Sequence, residues 1–277
     1  MKNGFSVIIK RFIVEGIIEK WKLFLFVILL FVSIDFIFVK NVSNIFNESE
    51  LNVKVGIADM FMNLFLGNPP FSSEENQGIN IQMIWFVFHS LIFSFVAYYA
   101  TNDLKNGSYI FLIKIKSKIM WWLCRVLWCA VFVLIYYFLF FIVSCAFACL
   151  FGSISFTPNQ NIAGAFWELD LTGLSNYQFW FSVFFLPLII SIAISIVEVT
   201  ICLVLKPILS LIIVIGYIIV SEFYSEPYLL FNYIMILRDN FMGIKNINNE
   251  AAFFIAVSII AFCSIIGSTI IKKKDMI

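Results

Sequence analysis

The chain has 277 residues, of which 62% are hydrophobic and only 13% charged, with a net charge of +1 at pH 7. Its mean hydropathy is +1.00, and several apolar runs reach the ~20 residues that a helix needs to cross a bilayer. These properties exclude a soluble globular domain. Because the runs are continuous and do not alternate with polar residues, helices are favoured over a β-barrel. We therefore predict an all-α polytopic membrane protein in which residues 1–277 form a single transmembrane domain.

Residues 1–20 precede the first long apolar run and have the pattern of a helix lying in the membrane interface. Apolar residues recur three or four positions apart, whereas the basic residues lie mostly off that face. A basic polar side suits an anionic inner leaflet. The predicted interfacial helix carries Phe5, Ile8, Ile9 and Phe12 on its apolar face and Lys10 and Arg11 off it.

Six apolar segments follow, and we interpret each as a membrane span. They cover residues 21–39, 81–99, 120–151, 179–205, 208–221 and 251–271. The connection at 100–119, between the second and third spans, is the longest interior segment that is too polar to lie in hydrocarbon.

Basic residues are distributed unevenly among the segments that connect the spans. If both termini are cytoplasmic, the outside keeps few of the 18 Lys and Arg residues, namely Lys40, Lys54, Arg238 and Lys245. Cytoplasmic segments of multi-pass proteins carry an excess of Lys and Arg. We therefore predict a multi-pass protein of the cell (plasma) membrane with both termini in the cytoplasm.

Two of the exterior segments contain short apolar stretches. In the first exterior segment, Val55–Leu66 has the pattern of a short surface helix. Between the fifth and sixth spans, Tyr228–Leu237 is apolar but too short to cross the bilayer. We predict that this second stretch re-enters the membrane or lies on its outer surface.

The sequence gives little support for an enzyme. It has no Gly-x-x-x-x-Gly-Lys-Ser/Thr phosphate loop, and its single histidine, His89, cannot form a His-Glu-x-x-His zinc motif. The six cysteines lack the paired spacing of a metal site. We expect no catalytic residue, metal or cofactor on this chain, and we interpret His89 as a packed polar residue. An intramembrane enzyme that depends on His89 remains an alternative.

Two acidic residues fall within the predicted spans. Asp35 lies about one turn from the outer end of the first span, where we expect its carboxylate to reach water. Glu198 is deeper and belongs to a polar stripe at helical spacing, made of Ser191, Ser195, Glu198 and Cys202. An ionisable residue in a span should face the bundle interior or water. Glu198 is therefore either a buried packing partner or a residue of a transport pathway that includes Ser191 and Ser195.

The segment at 100–119 is strongly basic and has features of a mechanical connection. Gly107 permits a turn, and Ser117 can cap the helix that becomes the third span. The alternation from Ile113 to Lys116 lets one side pack while the other meets solvent or an acidic partner. We interpret the segment as a handle through which a cytoplasmic protein moves the membrane part. An ordinary basic loop that obeys the positive-inside rule is the alternative.

This segment resembles the corresponding loop of type-2 ABC transporter permeases, the exporter class whose permease and ATPase are often separate chains. The family pattern has an acid, a Gly-Ser or Gly-Thr pair, an apolar run, a Ser-basic pair and a basic residue entering the third span. Lys116 stands where the family often has proline, and Trp121-Trp122 is similar to a subgroup of Firmicutes permeases. The matching positions are Asp103, Gly107-Ser108, Phe111-Leu112-Ile113, Ser117-Lys118 and Arg125.

The resemblance implies a permease subunit that couples a separate ATPase to export of a hydrophobic or amphipathic cargo, with a peptide as the first candidate. It implies two cytoplasmic ATPase subunits that bind Mg-ATP, and a second permease chain in a homo- or heterodimer. Membrane lipid is a further partner, and no nucleic acid is expected. The ATPase-coupling residues would be Asp103, Gly107, Ser108, Lys114, Lys116, Ser117, Lys118 and Arg125.

Two other functions fit the sequence. One is a membrane immunity or sensor protein that acts through its exterior loops without ATP. The other is a secondary carrier coupled through Glu198, which would need no ATPase.

Overall fold

A computed structural model describes residues 21–48, 53–69, 82–105, 117–171, 173–238 and 248–273, without the side chains of 47–48 and 101–105. These residues form an all-helical structure, as predicted. The predicted interfacial helix at 1–20 lies outside the described residues, and so does most of the basic segment.

The structure contains eight α-helices among the described residues. We number them α1 (Trp21–Glu48), α2 (Ile57–Phe65), α3 (Met83–Lys105), α4 (Lys118–Phe151), α5 (Gln160–Trp167), α6 (Asn176–Cys202), α7 (Pro207–Phe223) and α8 (Asn249–Lys273). Helix α6 contains a π-helical turn at Phe181–Phe185. Two 3₁₀ turns, Leu230–Ile234 and Ile236–Arg238, lie between α7 and α8.

Five of the described helices, α1, α3, α4, α6 and α8, are long and apolar enough to cross a membrane. Together they indicate a multi-pass membrane protein. Helix α7 corresponds to the predicted span at 208–221 and is also apolar, but it has only 17 residues. At 1.5 Å per residue it extends roughly 25 Å, somewhat less than the hydrocarbon core of a typical bilayer.

Several boundaries differ from those predicted. Helix α1 continues to Glu48, well past the predicted end of its span at residue 39. Helix α3 continues to Lys105, so the helix extends into the segment that we assigned to the basic loop. Both extensions are too polar for a hydropathy window to include, although the backbone continues as helix.

Helix α6 is the centre of the bundle. It packs against α3, α4, α7 and α8, and 67% of its most apolar window is buried, compared with 28% for α1 and 22% for α8. Its sequence from Leu186 to Cys202 is apolar on nearly every side, as expected of a helix with neighbours all round. The polar residues of α6 from Ser182 to Thr200 therefore lie inside the protein.

Aromatic rings fill the space between α1, α3 and α4. The Phe31 ring centroid lies 5.1 Å from that of Tyr136 and 5.2 Å from that of Phe140, both with edge-to-face geometry. Phe88 joins the same cluster, 4.9 Å from Tyr136. Edge-to-face pairs add about 0.5–1.5 kcal/mol each beyond the burial of their area. Much of the phenylalanine in this chain therefore has a packing role.

The expectation of a short surface helix at Val55–Leu66 is wrong in one respect. Helix α2 forms there, but nearly all of its side chains are buried. The Phe61 ring contacts Phe140 of α4 at 4.8 Å and Trp180 of α6 at 5.3 Å. Its apolar residues thus complete the core at the outer end of the bundle.

Backbone and carboxylate hydrogen bonds join the first two segments that we assigned to the exterior, which we continue to call the exterior segments. The Ser153 amide donates to the Val55 carbonyl at 3.0 Å. The Asp59 carboxylate accepts from the Gly56 amide through one oxygen and from the Asn159 amide through the other, both at 2.7 Å. Burial raises the pKa of the Asp59 carboxyl to about 6, and the two amide donors limit the rise. Asp59 therefore joins the first exterior segment to the second.

Candidate functional site

The first candidate site is the end of α4 that follows the basic segment. Ser117 caps this helix as predicted, with its hydroxyl oxygen accepting from the Met120 amide at 3.4 Å. Lys118 is half-buried in the first turn, and Arg125 is buried two turns further on. The basic segment thus leads directly into a regular helix with a defined start.

Arg125 links α4 to the end of α3. Its guanidinium group lies over the Trp121 ring, 4.6 Å from the centroid, and one of its nitrogens donates to the Ala100 carbonyl at 3.5 Å. The Tyr99 ring of α3 and the Trp128 ring of α4 stack on each other, with their centroids 3.6 Å apart. A cation over an indole ring is held more strongly when it is desolvated. The two helices that flank the basic segment are therefore fastened to each other.

Trp122 links the same end of α4 to α8. Its indole nitrogen donates to the Ser264 carbonyl at 2.9 Å. Its ring packs directly on Gly267, where an added methyl group would lie only 2.1 Å from a ring carbon. The close approach of α4 and α8 thus depends on a glycine at this position. We call Arg125, Trp122, Ala100, Ser264 and Gly267 the inner clasp.

The position of the other predicted coupling residues relative to this site lies outside what the structure describes. Gly107, Ser108, Lys114 and Lys116 lie outside the described residues, and for Asp103 only the helical backbone is described. Their proposed contacts with an ATPase remain predictions from the sequence.

The second candidate site is the polar stripe on the central helix α6. The Ser191 hydroxyl forms a 2.9 Å hydrogen bond with the Tyr137 hydroxyl of α4. Ser195 and Glu198 are completely buried, and the Ser195 hydroxyl and both Glu198 oxygens make no hydrogen bond among the described residues. The Cys202 sulfur lies 2.8 Å from the Ser210 hydroxyl of α7. The stripe therefore runs through the interior, from the middle of α6 to the end that precedes α7.

Asp35 does not have the water access that we expected. It is 1% exposed, and the Ser144 hydroxyl of α4 donates to one of its oxygens at 3.0 Å. The expectation failed because α1 continues to Glu48, more than three turns beyond Asp35. Asp35 is a buried polar contact between α1 and α4.

His89 is completely buried, in agreement with its interpretation as a packed residue. Its Nδ1 lies 2.9 Å from the Trp85 carbonyl. The rings of Trp85, Phe88 and Phe231 surround it at centroid distances of 4.7–5.5 Å. This environment is typical of a core histidine.

A third site, centred on Arg238, was not predicted from the sequence. We assigned Arg238 to an exterior loop, yet it is 0% exposed. Its guanidinium group donates to main-chain carbonyls at the end of α7 and in the loop after α2, and to one side-chain amide. The acceptors are the carbonyls of Ser221, Glu222, Tyr224, Asn68 and Pro69 and the Oδ1 of Asn232.

Arg238 satisfies the carbonyl groups that the end of a helix leaves without partners. Burial lowers the pKa of its guanidinium group to about 10, and the nearby Glu222 carboxylate limits this decrease. Glu222 in turn accepts from the Asn68 amide at 2.7 Å. We call Arg238, Glu222, Asn68 and Asn232 the outer clasp. Its only signal in the sequence is a single arginine directly after an apolar stretch.

No protein-family model, curated protein or solved structure matches the chain. The resemblance to ABC permeases therefore rests on the residue pattern of the basic segment and, more loosely, on the predicted order of an interfacial helix, six spans and a short re-entrant element.

Proposed function

We propose that the chain is the permease subunit of an ATP-driven exporter in the plasma membrane, moved by a separate cytoplasmic ATPase that holds Mg-ATP. In this proposal α7 is the sixth span, both termini are cytoplasmic, and the 3₁₀ turns at 230–238 are the short re-entrant element. The observation that supports it best is the inner clasp. A force on the basic segment would act on α3, α4 and α8 together.

The geometry of α4 suits the transmission of such a force. It is a single helix of 34 residues, roughly 50 Å long, and it begins where the basic segment ends. It contacts α1, α6 and α8 along its length. A tilt imposed at Lys118 would therefore change the packing at Phe151 without bending the helix.

The cargo that fits this proposal is hydrophobic or amphipathic. The outward faces of α1 and α8 are apolar, with Phe26, Phe36, Phe254 and Phe262 each more than half exposed. In a dimer with a second permease chain, such faces would line a path that favours apolar cargo over ions or sugars. A peptide matches this chemistry.

The test is purification of the tagged chain in mild detergent, with mass spectrometry of co-purifying proteins and an ATPase assay. The proposal expects a stoichiometric ATPase that is lost in the Lys114→Glu/Lys116→Glu variant. The matched control is Lys40→Glu/Lys54→Glu, which reverses two exposed charges elsewhere and should retain the ATPase. Recovery of the chain alone under several mild conditions would refute the proposal.

The structure also favours a second candidate, a membrane immunity or sensor protein that acts without ATP. Its supporting observation is that the described exterior residues form a cap held by Asp59 and the outer clasp. A preformed surface of this kind suits recognition of an external molecule. This candidate predicts that charge reversal at Lys114 and Lys116 leaves activity intact.

A further inference from the structure

Glu198 is the most unusual buried group that the proposed coupling mechanism does not use. It lies on the central helix α6 with 0% exposure. Neither of its carboxyl oxygens, nor the Ser195 hydroxyl one turn away, makes a hydrogen bond among the described residues. Buried polar groups in proteins are nearly always paired. Three unpaired oxygens on one face of one helix therefore need an explanation.

The neighbouring helices provide no counter-charge within hydrogen-bonding distance of Glu198 in the described structure. Helix α4 contributes Arg125 and Cys129, both close enough to the stripe for electrostatic interaction with Cys202 or Glu198. Helix α7 contributes the neutral Ser210 at its inner end. The other two helices that pack on α6 also carry ionisable groups. His89 of α3 lies among aromatic rings, and Cys263 of α8 interacts with Thr200.

A carboxylate left in such a place without a partner is expensive. The effective cost of burying an unpaired ion in a protein is several kcal/mol, and ionisable groups in spans usually neutralise one another or line a functional path. The packed bundle has no room beside Glu198 for a large organic cation, because Ser191, Ser195 and Cys202 on the same face are also at most 4% exposed. The ligand that fits is small and positively charged.

We propose that Glu198 and Ser195 bind one small monovalent cation, a proton or a sodium ion, which neutralises the carboxyl group in the closed bundle. A proton would attach to one Glu198 oxygen, and a sodium ion would lie between the carboxylate and the Ser195 hydroxyl. Both are cations that could occupy the same unpaired oxygens, and the experiment below distinguishes them. The site would make the closed conformation depend on cation concentration on the side to which it opens.

The polar contacts at the end of the stripe near Cys202 indicate the side of the membrane to which the site opens. The Cys202 thiol donates to the Ser210 hydroxyl at 2.8 Å, and Ser210 donates to the Pro207 carbonyl at 2.8 Å. Pro207 is the first residue of α7, at the short connection that follows α6. These groups form a polar route from Glu198 toward the cytoplasmic surface. Movement of α7 away from α6 would separate these groups and allow the bound cation to exchange with the cytoplasm.

Thermal unfolding of the purified chain in lipid nanodiscs tests this proposal. One series varies sodium chloride against choline chloride at constant ionic strength and pH, and the other varies pH without sodium. We expect the wild-type Tm to rise with sodium if the ligand is sodium, or only with falling pH if it is a proton. The Glu198→Gln variant should lose the sodium dependence, or the part of the pH dependence that Glu198 causes, while the part that Asp59 causes remains. At high pH without sodium it should be at least as stable as the wild type, because its amide is neutral and similar in size.

The control is Glu250→Gln, which changes an exposed acid on α8 and should keep the wild-type dependence. A wild-type Tm insensitive to both variables would overturn the proposal, and so would a Glu198→Gln variant whose sodium and pH dependence both equal those of the wild type. If Glu198→Gln fails to fold or is less stable throughout, and Arg125→Gln restores its stability, then Glu198 is the counter-ion of Arg125 and the cation site does not exist. None of these measurements involves an ATPase, so their outcome is independent of the proposed export function.

Discussion

Arg238 is the residue on which the outer end of the bundle most depends. Its guanidinium group reaches carbonyls on both sides, at Ser221 and Glu222 of α7 and at Asn68 after α2. A planar group with five donors can serve several acceptors at fixed angles. A lysine has one ammonium group and cannot reach both sides at once. The outer clasp is therefore specific for arginine.

We predict that Arg238→Met lowers the free energy of unfolding by on the order of 3–5 kcal/mol, because it leaves several buried carbonyls without donors. Arg238→Lys should recover only part of this loss. Thermal unfolding in detergent measures both effects. The control Lys54→Met alters an exposed basic residue and should stay within about 0.5 kcal/mol of the wild type. Equal effects of the two methionine variants would show that Arg238 has no structural role.

The raised pKa of Asp59 predicts the direction in which the stability of the protein changes with pH. Its folded pKa of about 6 lies above the ordinary value of 3.8, so the folded state holds the proton more tightly than the unfolded state. The resulting stability is complete below about pH 4 and is lost as the pH rises through 6. The wild-type Tm should therefore decrease between pH 4 and 7 more than that of Asp59→Asn, which cannot ionise. Parallel pH profiles of the two proteins would contradict this assignment.

At the level of single elements, α4 is the helix that connects the two ends of the molecule. Its inner end is held by the inner clasp, and its outer half packs against α2 through Phe140 and Phe61. Its contact with α8 depends on the small size of Gly267. Small residues let helix backbones approach closely in membrane proteins. This contact can be changed without altering any charge.

Gly267→Ala should separate α4 from α8 and reduce the coupled ATPase activity, because the new methyl group would overlap the Trp122 ring. The matched control is Gly216→Ala in α7, where an added methyl group meets nothing within 4 Å. That change removes a helix-disfavouring glycine and should be neutral or stabilising by up to about 1 kcal/mol. Unfolding and ATPase assays on both variants measure the difference. Similar stability and ATPase activity of the two variants would show that Gly267 has no role in coupling.

The elements also show what sequence reasoning could and could not predict. The long helices and the Ser117 cap follow from local patterns of hydropathy and capping, so they were predictable. The burial of α2 and the role of Arg238 were not, because each depends on partners far away in the chain. The Trp122 to Ser264 hydrogen bond, for example, spans 142 residues. The same limit explains the error at Asp35, whose environment depends on Ser144 of another helix.

At the scale of the whole molecule, the described structure has a buried central helix, an outer cap and an inner clasp. Helix α6 packs against α3, α4, α7 and α8, so a joint displacement of α4 and α8 must change its surroundings. The outer clasp and Asp59 hold the exterior segments together, while the inner clasp joins the helices next to the basic segment. We expect a push at the cytoplasmic face to tilt α3, α4 and α8 together relative to α6, so that the packing near the outer end of α4 also changes.

The central claim is that ATP use by a cytoplasmic partner moves this bundle through the basic segment. Cys149, an exposed cysteine near the outer end of α4, can carry an environment-sensitive fluorophore in the co-purified complex in nanodiscs. The measurement is the change in fluorescence when ATP is added. We predict a change with ATP but not with ADP, and its loss in the Lys114→Glu/Lys116→Glu variant. ATP hydrolysis without any change at Cys149, or an unaltered change in that variant, would contradict the account.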